Sequence, residues 1–237
     1  MNKSKICLAL DGIPIGAALH LTEQVGHLCH AVKIHDAYDD RGARIIRDLK
    51  EAGAKRVWVD SKIHDTKDTV GLRVKALVRN GANIITVHAS GGVPMMTSAV
   101  SAAVNESDAS AEIWAITVLT SLDDDEIKRI YGNGRTRKQI VHEFALMAKE
   151  AGVRTVVCSA QEVGMLSQSE DLAGMKFVVP GTRSAGVALG QQKRSGTPAQ
   201  AMTDGATHLV AGSQVTKAGN PVAAFAAMAA EINQHLN

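Results

Sequence analysis

The chain has 237 residues, of which 45% are hydrophobic and 21% charged, and its formal charge is only +2. That is the composition of a globular protein with a sizeable core, and the charge is too small to predict a polyanionic partner. Aromatic residues make up 3%, which argues against recognition of nucleic acid by base stacking. Three scattered cysteines, Cys7, Cys29 and Cys158, suggest no disulfide framework. A reducing compartment, the cytoplasm, is expected instead. The opening MNKSKICLALDG turns polar too early for a secretory signal, and no apolar run reaches the length of a membrane span.

Along the chain, short apolar runs alternate with amphipathic ones. KICLALD predicts a first strand and AVKIHD a second. RGARIIRDLKEAG then repeats its apolar residues at helical spacing and stops at Gly53. RVWVDSK is the third strand, and TVGLRVKALVRNG a helix ending at Gly81. NIITVHA and EIWAITVLT are the fourth and fifth strands, followed by an irregular stretch over 121–136. RKQIVHEFALMAKEAG reads as a helix stopping at Gly152, and RTVVCSA and KFVVPG as the sixth and seventh strands. A second irregular stretch, 183–196, precedes the short helix TPAQAMTDG and the eighth strand, THLVAGS. Asn220-Pro221 caps a closing helix, NPVAAFAAMAAEINQHL. The continuous Val/Ile/Leu character of the strands predicts parallel pairing covered on both faces. Eight such units over residues 1–237 predict a single-domain (β/α)8 barrel. An open doubly wound sheet is the runner-up; the strand count and the lack of a Gly-rich turn after the first strand oppose it.

Barrels place their chemistry at the C-terminal ends of the strands. Those ends carry Asp11, Lys33, Asp60 with Lys62, His88, Thr120, Ser159, Arg183, and Gly212-Ser213. A lone aspartate there is as readily a helix cap as a functional group. Asp11, Lys33, Asp60 and Lys62 together are harder to explain as caps. Asp60 and Lys62 lie two apart on one strand, so both point to one face, the barrel interior. Buried charges need partners, so the two are expected to pair with each other and with Lys33. Asp65, three residues on, cannot share that face; it caps the next helix or reaches another site, across a subunit interface. An ammonium flanked by carboxylates keeps its charge, which suits proton donation better than Schiff-base formation.

VDSKIHDTKDTV, TVHASGG with MM, ITVLTS, VCSAQE, PGTR, GQQKR with TP, and VAGSQVT with NP follow one another in a telling order. In that order and spacing the chain resembles orotidine 5′-phosphate decarboxylases from Leu8 to about Phe225. The Asp-x-Lys-x-x-Asp element alone would indicate only the wider superfamily. The resemblance implies decarboxylation of orotidine 5′-phosphate to UMP in de novo pyrimidine biosynthesis, without metal or cofactor, by a homodimer with shared sites. It implies that Lys62 protonates C6 of the pyrimidine and that Asp60 sits by the substrate carboxylate. Lys33 would pair with Asp60 and contact the ribose, and Asp11 would bind a ribose hydroxyl. Asp65 and Thr69 would come from the partner subunit, and Thr120 would contact the pyrimidine. Arg183 and Gln192 would hold the phosphate, with the backbone of Gly212 and Ser213. Three positions depart from the family pattern: Ser213 replaces an arginine, Thr66-Lys67 replaces Ile-Pro, and His35 replaces a glycine. Arg183, Lys193 or Arg194 are the candidates to compensate for the first.

Two other functions compete. One is a decarboxylase or aldolase of a keto-sugar phosphate, which would require a divalent metal. The other is a nucleotide binder without turnover. HLCH at 27–30 lacks a second ligand pair and is expected to be a solvated helix end. His88 is expected to be structural, Cys158 a buried strand residue, and Met95 and Met96 core or pocket-base residues. Asp123 to Glu126 reads as a solvated loop and helix start.

Overall fold

The structure is a computed structural model that describes residues 5–107, 110–132, 134–184 and 196–234. All eight predicted strands form: β1 (Ile6–Ala9), β2 (Ala31–Ile34), β3 (Val57–Ile63), β4 (Ile84–His88), β5 (Glu112–Ile116), β6 (Thr155–Val157), β7 (Lys176–Pro180) and β8 (His208–Ala211). Each pairs in parallel with the next, and β8 closes on β1, giving a (β/α)8 barrel. Outside it lie α1 (Ile15–Val25), α2 (Asp36–Arg41), α3 (Arg44–Glu51), α4 (Lys67–Arg79), α5 (Gly92–Ser107) and α6 (Asp124–Tyr131). They continue with α7 (Arg137–Glu150), α8 (Val163–Ser167), α9 (Pro198–Thr203), α10 (Ser213–Thr216) and α11 (Pro221–Gln234). Among the described residues no helix is long and apolar enough to cross a membrane.

Four local expectations change. The helix predicted over 41–53 is split, because Gly42 adopts φ +59 and ends α2 before α3 begins. The stretch 121–136 is not irregular throughout: Asp123 and Glu126 form a reciprocal capping box that starts α6. The helices α1 and α5 had no predicted counterpart. In α1 the buried Ala18, Leu21, Thr22 and Val25 do keep helical spacing, but alanine and threonine dilute the apolar signal. HLCH is not a solvated helix end either. Cys29 is buried, and the His30 ring packs 4.0 Å from that of His208.

The core has two parts. One lies between sheet and helices and takes in Met95 and Met96. The other fills the barrel, where Trp58 and Trp114 meet edge to face at 4.6 Å above Ile84, Val178 and Val210. At the N-terminal end of the strands, Arg56 contacts His30 at 2.9 Å and donates to Glu112 at 2.7 Å, while Trp114 also donates to Glu112.

This cluster makes the barrel sensitive to acid. Burial, helped by His30 and Lys176, pushes the His208 imidazole down to about 3 from an ordinary 6.5. The folded chain therefore refuses a proton that the unfolded chain accepts below pH 6.5. Stability is full above that pH and falls as pH drops towards 3, by at most about 1.4 kcal/mol per pH unit from this group. His208→Gln should flatten the fall in Tm between pH 6.5 and 4; a melting series as steep as that of the wild type would assign the acid sensitivity elsewhere.

Candidate active site

The strand β3 carries the charged row, and it reaches the mouth through a distortion. Val59 pairs with Ile85 and Ile63 with Val87, so four steps along β3 match two along β4. Lys62 sits in this bulge at φ +45, and among the described residues it is the one non-glycine with positive φ. A left-handed lysine costs about 1–3 kcal/mol, and such strain collects where a side chain must be aimed. The two-residue pleat expected to align Asp60 with Lys62 is thus replaced by a bulge that folds Lys62 back. Its Nζ donates to Asp60 Oδ2 at 2.8 Å.

The same oxygen lies 3.1 Å from Lys33 Nζ, and Lys33 also donates to Asp11 Oδ2. From β1 to β3 the order is Asp11, Lys33, Asp60, Lys62, with charges alternating. Lys33 and Asp60 are 6% and 5% exposed. Burial works against both charges, but mutual attraction outweighs it. Asp60 and Asp11 push the Lys33 ammonium up, while Lys33 and Lys62 hold the Asp60 carboxyl below its usual range. His88, at the end of β4, is pushed down by burial and by its neighbours His64 and Lys62. Its ring lies 5.8 Å from that of His64.

The row forms one wall of a cavity of about 510 Å³ at the C-terminal end of the barrel, a size suited to a small ligand. Trp58, Ile116, Val157 and Val210 make an apolar floor, and Leu119 and Thr120 come in from the loop after β5. Opposite the row stand Arg183, Gly212 and Ser213. Arg183 is half-buried, and its guanidinium donates to Ser213 Oγ at 3.0 Å and to the Thr182 carbonyl at 2.8 Å. It thus reaches the start of α10, just past β8, at the position where the sequence lacks the expected arginine. Burial pushes the guanidinium down.

Two lining residues escaped sequence analysis. Thr216 and Lys217 follow Ser213 by three and four positions, so Ser213 and Thr216 of α10 and Lys217 just after it share one side and line the cavity. No carboxylate among the described residues lies within 4 Å of Arg183 or Lys217. Trp58 was missed as well, although it lies two residues before Asp60 and the strand period that turns Asp60 inward applies to it too.

Some predicted residues do not meet in this chain. Asp65 and Thr69 do not line the cavity. Asp65 is exposed and, among the described residues, accepts from the neighbouring Thr66 N–H at 2.7 Å, while Thr69 bonds Thr66 through their hydroxyls. His35 lines a separate, smaller depression with Tyr38 and Arg73, not the mouth itself. Gln192, Lys193 and Arg194 lie outside the described residues. The cysteines Cys7, Cys29 and Cys158 are buried and form no disulfide among the described residues. Among the described residues no group of three or more His, Cys, Asp or Glu is gathered as metal ligands would be.

Comparison with known proteins places this geometry in a family. The model of the orotidine 5′-phosphate decarboxylase / HUMPS family matches residues 4–228. The orotidine 5′-phosphate decarboxylase of Pseudoalteromonas translucida is 39% identical over 95% of this chain and 95% of its own. That of Moorella thermoacetica is 38% identical over 97% of this chain and 92% of its own. The crystal structure of orotidine 5′-phosphate decarboxylase from Lactobacillus acidophilus superposes with a TM-score of 0.83 at 29% identity, covering 97% of this chain and 99% of that one. Sequence, fold and the alternating row agree: the chain belongs to the orotidine 5′-phosphate decarboxylase / HUMPS family.

Proposed function

We propose that the chain decarboxylates orotidine 5′-phosphate to UMP, without a cofactor, in the pyrimidine pathway of the cytoplasm, and that it works as a homodimer. The observation that carries this reading is the sharing of one Asp60 oxygen by Lys33 and Lys62 at the wall of an apolar-floored cavity.

Loss of carbon dioxide from C6 leaves an electron pair in the plane of the ring, where the π system cannot spread it. A fixed cation at that carbon is then the stabiliser required. Lys62 is held by Asp60 with its ammonium towards the cavity. It lowers the energy of the forming carbanion and then transfers a proton to C6. Asp60, kept ionised by Lys33 and Lys62, lies where the substrate carboxylate must sit. It disfavours that carboxylate until carbon dioxide departs. Asp11 and Lys33 take the ribose hydroxyls, and Thr120 the edge of the pyrimidine. Arg183, Gly212, Ser213 and Gln192 hold the phosphate, and Lys217 adds a second cation on the same side. Phosphate binding far from C6 contributes by holding the ring in register with Lys62. Asp65 and Thr69, turned away from their own cavity, complete the ribose side of the site in the other subunit.

The alternative metal-dependent chemistry on a keto-sugar phosphate needs carboxylates free to coordinate, whereas Asp11 and Asp60 are both engaged by lysines. The test is the fall in orotidylate absorbance with and without excess chelator. Equal rates are expected. Loss of activity in chelator would favour the sugar-phosphate reading, and tight UMP binding with no turnover would favour a binder.

A further inference from the structure

Two loose ends lie side by side beneath the charged row. The first is Asp60 Oδ1. Both lysines use Oδ2, and Oδ1 is buried with no hydrogen-bond partner among the described residues. The second is the proton of the Thr86 hydroxyl. Thr86 is fully buried on β4, and its oxygen receives the indole N–H of Trp58 at 2.5 Å. An indole N–H can only donate, so the threonine oxygen is the acceptor there and its single proton must point elsewhere. The register directs it. Val59 pairs with Ile85 just before the bulge, which sets Asp60 beside Thr86 on the neighbouring strand. Thr86 is also among the groups that hold that carboxyl below its usual range.

We propose that Thr86 is a positioning residue for Asp60: the Trp58 indole occupies its oxygen, and its proton goes to Asp60 Oδ1, fixing the plane of the carboxylate. The lysines both converge on Oδ2 and leave Oδ1 unsupported. Held at both oxygens, the carboxylate keeps Lys62 aimed into the cavity. Trp58 therefore has two duties, as floor of the cavity and as the group that sets the threonine rotamer. This rests on the decarboxylase reading for its consequence in catalysis, but not for the hydrogen bond itself.

The charged and titratable groups around Asp60 are Lys33 on β2, Lys62 on β3 and His88 on β4, with Asp11 on β1 behind Lys33. Thr86→Val keeps the shape and removes the donor; Thr86→Ser keeps the donor. A ¹³C NMR titration of the side-chain carboxylates, with Asp60 assigned through Asp60→Asn, reads the bond directly. Asp60 should take up its proton at higher pH in Thr86→Val than in the wild type, and at the wild-type pH in Thr86→Ser. On orotidylate, kcat of Thr86→Val should fall roughly ten- to hundredfold, the range for a hydrogen bond to a charged group. KM should change little, because the phosphate and ribose contacts are untouched. Trp58→Phe should lower kcat in the wild-type background and add little on top of Thr86→Val, since it acts through that hydroxyl. An Asp60 titration unmoved by Thr86→Val would overturn the proposal, even if Tm had dropped. A wild type that fails to turn over orotidylate would instead sink the decarboxylase reading, with the NMR result still deciding the hydrogen bond.

Discussion

Replacing Lys62 with alanine is expected to abolish orotidylate turnover while leaving the barrel folded. Loss of one group that stabilises transition-state charge costs about two to three orders of magnitude. Lys62 also supplies the proton for C6, so the loss should exceed about 10³-fold. The fold should survive for a local reason. Asp60 keeps its contact with Lys33 at 3.1 Å, so the variant leaves no buried carboxylate without a counter-charge. The variant should also bind UMP, because the cavity wall that carries Arg183 and Ser213 is remote from β3. Stopped assays and a UMP titration on the same preparation separate the two outcomes. Turnover within tenfold of the wild type would remove Lys62 from the reaction.

The second large effect concerns Asp65. It lies three residues beyond Lys62, yet it is exposed and absent from the cavity of its own chain. If the site of one subunit borrows the partner's Asp65, then Asp65→Ala should lose about 10²-fold or more in rate, as for other groups that hold catalytic charge in place. The decisive result is complementation. Lys62→Ala and Asp65→Ala chains are each inactive alone. In a mixed dimer, one site carries both lesions and the other carries neither. Random pairing of equal amounts makes half the dimers mixed, so about a quarter of wild-type activity should return. A mixture as dead as its parents would place both residues in a site within one chain and would remove the argument for a shared site.

Much of the barrel was legible in the sequence, because parallel strands buried on both faces must be continuously apolar and α3, α4, α7 and α9 each stop just before a positive-φ glycine. Where α1 and α5 escaped, the cause was their packing surface. Their buried positions are largely alanine, threonine and methionine, which let a helix approach a sheet closely but give little periodic contrast. The helix start at Asp123 to Glu126 was legible, and Asp-x-x-Glu gives its reciprocal capping box as well. Of the site, the four charges of the row were legible by type and spacing, since a strand that trades valine for Asp60 and Lys62 must be compensated by something other than packing. For Ser213 the sequence offered Arg183, Lys193 and Arg194 as compensating groups without choosing among them. That Arg183 crosses from the loop after β7 to reach the Ser213 hydroxyl depends on two segments 30 residues apart.

The order of strands, their parallel pairing and the placing of charge at their ends follow from the sequence alone, because burial and the two-residue strand period act locally and leave marks in composition. What only the tertiary structure decided is where those charges point. The bulge at Lys62, the indole of Trp58 on Thr86 and the packing of the His30 ring on that of His208 arise when the sheet closes. Closing shears neighbouring strands and forces side chains far apart in the chain to share one small interior volume.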